Sequence, residues 1–180
     1  MLVFIHINKT GGMSVVRALD TKSDHPYPGR ALEHSQEPRW RKAFKFSFVR
    51  NPWDKECSDY HYHSSLAHKE THQKALSFEE YLQIPEMHPH HVDHYWHSNQ
   101  VDWLRSVNGE IEMDFIGRFE NLAQDFGEVL NRLGIEGVAL PHLNPSRHPP
   151  YPEIYTDETR AIVRDLYWKD IEYFGYRFGD

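Results

Sequence analysis

The segment Asn8-Lys9-Thr10-Gly11-Gly12-Met13-Ser14 gathers a cation, two glycines and two hydroxyls on consecutive residues. Such a set suits an oxyanion. Glycines let the backbone approach it, free N–H groups and a helix start face it, and the Lys adds full charge. A second set follows at Arg50, a cation ahead of a helix start, with Ser58 within about two helical turns of it. The plainer readings are a tight turn carrying a surface Lys and a surface ion pair between Arg50 and Asp54. Two separate phosphate-binding arrangements in one chain favour the anion reading over both. Neither set is a Walker A loop, which requires G-x-x-x-x-G-K-[ST]; here the Lys precedes the glycines.

Both sets need strands to deliver them. Residues 1–7 read as a buried strand, and Val15, Val16 and Leu19 mark an amphipathic helix after the loop. Phe44 to Val49 has the length and residue types of a strand, broken by Asn51-Pro52, and a helix can run from Trp53. Residues 21–30 read as loop. Ser77 can cap a short helix through Gln83, with Glu79 and Glu80 in its first turn and Pro85 ending it. Asn108-Gly109 signals a turn, and Ile111, Met113 and Phe115 alternate as a strand would. Phe119, Leu122, Phe126, Val129, Leu130 and Leu133 share a helical face closed by Gly134. Residues 141–152 read as irregular. Thr156 is placed to cap a last helix reaching Phe174, whose apolar face would be Ile162, Val163, Leu166, Tyr167 and Ile171. Strands alternating with helices predict an α/β fold with a parallel sheet covered on both faces. With no repeat, low-complexity tract or linker, residues 1–180 read as one domain.

The stretch FIHINKTGGMSV resembles the 5′-phosphosulfate loop of sulfotransferases that use 3′-phosphoadenosine 5′-phosphosulfate (PAPS). FKFSFVRNPWDKECSDY resembles their 3′-phosphate motif, with the Arg-to-Ser spacing kept at Arg50 and Ser58. DFIGRFENL and the segment from Pro141 to Phe178 are similar to the carbohydrate-type, Golgi-sulfotransferase-like branch. The resemblance implies a three-layer, P-loop-NTPase-like α/β fold with a central parallel sheet flanked by helices. It also implies PAPS as co-substrate, adenosine 3′,5′-bisphosphate (PAP) as product and no required metal. Lys9 would stand beside the bridging oxygen and the 5′-phosphate, with the N–H groups of Thr10, Gly11, Gly12, Met13 and Ser14 around it. Arg50 and Ser58 would hold the 3′-phosphate, while Ser146 and Arg147, with Asn144, are candidate nucleotide ligands in the proline-rich loop.

Sulfuryl transfer to a hydroxyl is in-line displacement, in which positioning and leaving-group charge stabilisation dominate. It needs a base of suitable pKa, for which His is the default. Related sequences often carry a His-Ser pair ahead of the second motif, and His34-Ser35 match it, with Glu33 as fallback. His6 reads as packed core and Glu120 as structural. Four departures stand out: Asn8 for Pro, Met13 for a hydroxyl residue, Lys55 for Arg, and Glu56-Cys57 for apolar residues. The last predicts an unusually exposed helix.

The net charge of −7 argues against a nucleic-acid partner and weakens the case for a long polyanionic acceptor, although Arg39, Arg41, Lys42 and Lys45 form a local basic run. His88, His90, His91, His94 and His97 crowd together without a Cys or HExxH pattern, which favours a solvated helix, or a polar wall near a sugar-like acceptor, over a metal site. The single Cys57 fits a reducing compartment, no apolar stretch has membrane-spanning length, and the chain opens on its first core strand. A compact, bacterial-type, cytoplasmic enzyme without membrane insertion is therefore expected, one that sulfates a hydroxyl of a carbohydrate, glycoconjugate or smaller acceptor. The alternatives are a small-molecule P-loop-type kinase, with Asp114 as its magnesium-binding carboxylate, and a non-catalytic nucleotide-binding module.

Overall fold

The computed structural model describes residues 1–19, 31–71, 76–84, 98–141 and 149–180. It is α/β, with a parallel three-stranded sheet flanked by helices. The contacts within the chain group it into two compact units, Met1–Arg50 with Gln100–Pro145, and Asn51–Asn99 with Ser146–Asp180. Among the described residues no helix is long and apolar enough to cross a membrane.

The first unit carries the sheet. Strand β1 (Leu2–Ile5) pairs with β2 (Phe44–Val49) in the register Leu2↔Phe44 to Ile5↔Ser47, and β2 pairs with β3 (Phe115–Arg118) from Phe46↔Phe115 to Val49↔Arg118. The central strand β2 is buried from Lys45 to Val49, as expected where helices cover both faces. Its Phe46 and Phe48 join Val15 of α1 (Gly12–Ala18) and Phe126, Val129 and Leu130 of α6 (Leu122–Leu133) in one apolar core. Gly134, left-handed at φ 65°, ends α6 as the sequence predicts. Short helices α2 (Ala31–His34) and α5 (Gln100–Leu104) pack on each other.

Two expectations in this unit need correction. The alternating Ile111-Met113-Phe115 segment is not the strand. Ile111 forms an isolated antiparallel bridge with Arg105 across the Asn108-Gly109 turn, and the ladder begins only at Phe115. Asp114 marks the boundary, its carboxylate accepting the Lys45 N–H at 2.7 Å and its own N–H reaching the Lys45 carbonyl at 2.8 Å. Phe119 belongs to a 3₁₀ turn (Phe119–Asn121) ahead of α6.

The second unit is built on α3 (Pro52–Thr71). Asn51 caps it, with its Oδ1 accepting the Trp53 N–H at 3.1 Å, and Pro52 fills the first helical position where no N–H is needed. Trp53 and Cys57 pack with Phe78, Tyr81 and Leu82 of or beside α4 (Phe78–Leu82), and with Val163 and Tyr167. The predicted cap at Ser77 is a capping box with Glu80. The predicted last helix is two: α7 (Asp157–Leu166), capped by Thr156, and α8 (Trp168–Phe174). Tyr167 leaves helical angles between them while its hydroxyl is tied to Glu56 at 2.6 Å in the core, a tertiary anchor invisible to helical periodicity. The expected exposure of α3 is also reversed, since Lys55, Glu56 and Cys57 are all buried.

Candidate functional site

Strands that run parallel deliver their following loops to one edge of the sheet, where open α/β folds bind ligands. The loop after β1 and Arg50 after β2 therefore share an edge, and the structure joins them. The Arg50 Nη1 donates to the Lys9 carbonyl at 2.9 Å. Its guanidinium also lies over the Phe119 ring, 4.0 Å from the centroid. Arg50 is buried to 5% exposure. Its backbone is gripped twice by Gln100, whose Oε1 accepts the Arg50 N–H and whose Nε2 donates to the Arg50 carbonyl, each at 2.8 Å. A side-chain amide thus takes the place of a neighbouring strand where β2 ends.

The loop itself is held in an uncommon shape. Lys9 has φ 62°, the one left-handed non-glycine among the described residues. That conformation costs an L-residue on the order of 1–2 kcal/mol and persists where surrounding structure enforces it. The Thr10 hydroxyl is buried and donates to the Ile7 carbonyl at 2.8 Å, so what Thr10 can offer an anion is its backbone N–H. Gly11 sits at φ 78°, where a Cβ would stand 2.5 Å from Leu122 Cδ2. At Gly12 a Cβ would overlap the His6 ring, so His6 packs against the loop, half-buried there rather than enclosed in the core. The His6 ring also stacks on Phe4 at 5.6 Å. Gly12 and Met13 open α1, where position alone leaves their N–H groups without an intrahelical acceptor. The Met13 side chain is exposed, leaving its backbone as its contribution, and Ser14 is buried with its N–H on the Gly11 carbonyl at 3.0 Å.

His34 ends α2, and its Nδ1 lies 3.4 Å from Glu37 Oε1. Glu37 is held below the usual carboxylate range, first by its hydrogen bond with Arg39 and also by His34. The Ser35 hydroxyl accepts the Val107 N–H at 2.9 Å. Because α2 packs on α5, whose first residue is Gln100, one short helix connects the His34 element with the Arg50 backbone. Ser58 belongs to the second unit, buried on α3. Asn144, Ser146, Arg147 and the histidine cluster at 88–97 lie outside the described residues, as does the Glu33 side chain. Among the described residues, no group of three or more His, Cys, Asp or Glu is placed to hold a metal ion. Gln100 and Phe119 escape a sequence reading. Gln100 follows a stretch with no local motif, and Phe119 looks like one more apolar residue of α6.

A profile of the sulfotransferase family matches residues 1–177. The chain belongs to the sulfotransferase family. Searches of curated proteins and of solved structures return no match. This sulfotransferase has the P-loop-like α/β fold that its two motifs imply, and a transferase of sulfuryl groups is the activity its family carries. Asp114, the carboxylate a kinase would require, precedes β3 and is bonded to Lys45 through Nζ at 2.9 Å. It therefore occupies the sheet edge opposite Lys9 and Arg50, which removes the main support for the kinase alternative.

Proposed function

We propose that this sulfotransferase takes its sulfuryl group from PAPS and transfers it to a hydroxyl of a carbohydrate or glycoconjugate. The observation that carries the reading is the bond from Arg50 Nη1 to the Lys9 carbonyl, which couples the two phosphate motifs at one edge of the sheet. PAPS supplies an activated sulfuryl group on a nucleotide with a 3′-phosphate. The glycine loop fits such a ligand, because close packing at Gly11 and Gly12 leaves backbone rather than side chain at the loop surface. Lys9 supplies the ammonium that offsets charge on the leaving phosphate. The motif assigns the N–H groups from Thr10 to Ser14 to the same phosphate, although the Ser14 N–H is bonded to the Gly11 carbonyl in this structure. Arg50 takes the 3′-phosphate through its guanidinium, whose plane is held by stacking on Phe119. The motif assigns Ser58 to that phosphate too, and Ser146 and Arg147 to the nucleotide. His34 is the base, with Glu37 beside Nδ1 to stabilise the imidazolium formed when the acceptor proton is taken. Both units form one catalytic domain in this reading, since the family match runs through both.

Calorimetric titration with PAP, 5′-AMP and ATP tests the reading directly. PAP should bind tightest, and Arg50→Ala should erase its advantage over 5′-AMP. Lys9→Ala should abolish transfer, and His34→Ala should lower turnover while PAP affinity stays near wild type. Preference for ATP, or equal affinity for PAP and 5′-AMP, defeats the assignment. Tight PAP binding without transfer to any acceptor would instead mark a non-catalytic nucleotide-binding module.

A further inference from the structure

The second unit contains a cleft that the sulfuryl-transfer reading leaves unused. Its volume is about 570 Å³, inside the range of about 300–1,000 Å³ typical of small-ligand sites. Three arginines line it. Arg160 and Arg164 are four residues apart on α7 and so share a helical face, and Arg177 follows the end of α8. All three are exposed. Against them the described lining sets one carboxylate, Asp157. Arg164 is paired with Asp165 at 2.8 Å, whereas Arg160 and Arg177 have no ion pair among the described residues.

The cleft is also stiff. The Arg160 guanidinium lies over the Phe178 ring, 4.7 Å from the centroid, which fixes its plane and leaves its N–H edges for a ligand. Phe178 is braced edge-on by the buried Trp53 at 5.7 Å, and Trp53 Nε1 donates to the Arg160 carbonyl at 3.0 Å. The ring that carries the guanidinium and the helix that bears it are therefore held by one indole. Ala161 and Ile171 leave an apolar floor beneath the charges. A bare ion would engage the guanidinium groups and leave that floor wet, whereas an oxyanion on a ring-sized body covers both.

We propose that this cleft binds a sugar carrying a sulfate or carboxylate, with Arg160 and Arg177 as its anion ligands and the apolar floor against its ring. Every lining residue belongs to the second unit, and the assignment does not rest on PAPS as donor. Saturation-transfer NMR and calorimetry on the full chain, with galactose 6-sulfate, galacturonate, galactose and inorganic sulfate as probes, decide it. Galactose 6-sulfate or galacturonate should bind and galactose should not; which of the two binds tighter identifies the anion. Arg160→Gln with Arg177→Gln should weaken binding about tenfold or more, in line with the loss of charged hydrogen bonds. Thermal melting of that variant near the wild-type temperature, with its PAP affinity unchanged, keeps a folding defect apart from loss of the site. Saturating PAP, or Lys9→Ala, should leave sugar binding intact. Equal binding of galactose, equal binding of inorganic sulfate, displacement by PAP, or wild-type affinity in the folded double variant each overturn the proposal, as does absence of binding by both charged sugars.

Discussion

Lys9 is asked to do two things, carry a charge and occupy a left-handed backbone, and the two can be separated. An Ala at φ 62° keeps the strain and loses the ammonium, whereas Gly loses both. Lys9→Gly should therefore be more stable than Lys9→Ala by about 1 kcal/mol, although Gly adds chain entropy to the unfolded state. Both variants should be inactive in transfer. Urea unfolding of the pair reads the difference directly, and equal midpoints would mean that the loop relaxes once the side chain is gone. The proposed residue-level chemistry is local, which is why the sequence alone suggests it. Lys9, the two glycines and Arg50 each belong to a short run whose residue types already imply an anion. What holds Arg50 was not legible, because Gln100 and Phe119 are distant in the chain and reach it only through the fold.

At the scale of elements, the strands and caps followed local rules, and the misreadings lie where tertiary contacts overrode them. Ser77, Thr156 and Gly134 terminate helices by bonding their own neighbours, so each was readable. Tyr167 breaks a continuous helical pattern because its hydroxyl is committed to Glu56 on α3. The same contact explains why α3 buries residues that a pattern reading exposes. Glu56 lies in a fully enclosed site with Asp59 and Lys55 near it and Tyr167 and Tyr81 as hydrogen-bonding neighbours. Burial, then the Asp59 charge, push its carboxyl up to about 7, against an ordinary value of 4.5. A folded-state pKa above the unfolded one means that the folded chain retains the proton longer. The resulting stability is full below about 4.5 and is lost as pH rises through about 7. At about 1.4 kcal/mol per unit, the loss comes to about 3.5 kcal/mol. Glu56→Gln keeps an acceptor for Tyr167 and removes the titration. Wild type should therefore lose stability relative to Glu56→Gln between pH 5 and 8, in urea unfolding at each pH. Parallel profiles would show that Glu56 stays ionised inside the unit.

For the whole molecule the governing quantity is charge, and it works against the most familiar kind of sulfated polymer. The chain carries −7 with its fourteen histidines neutral, so protonating half of them cancels that charge. Long polyanions sample the field of the entire surface, whereas a single anionic sugar samples the few side chains within a Debye length, about 8 Å at physiological salt. A monosaccharide sulfate can therefore find Arg160 and Arg177 at a pH where a polymer is repelled. Heparin–agarose chromatography at low salt separates the two scales. At pH 8 the protein should pass unretained, while at pH 5, below the isoelectric point of about 6.0, it should bind and elute with added salt. Arg160→Gln with Arg177→Gln should elute earlier at pH 5 and change nothing at pH 8. Strong retention of wild type at pH 8 would mean that a local basic surface outweighs the net charge, and a long acidic polysaccharide would then become the leading acceptor.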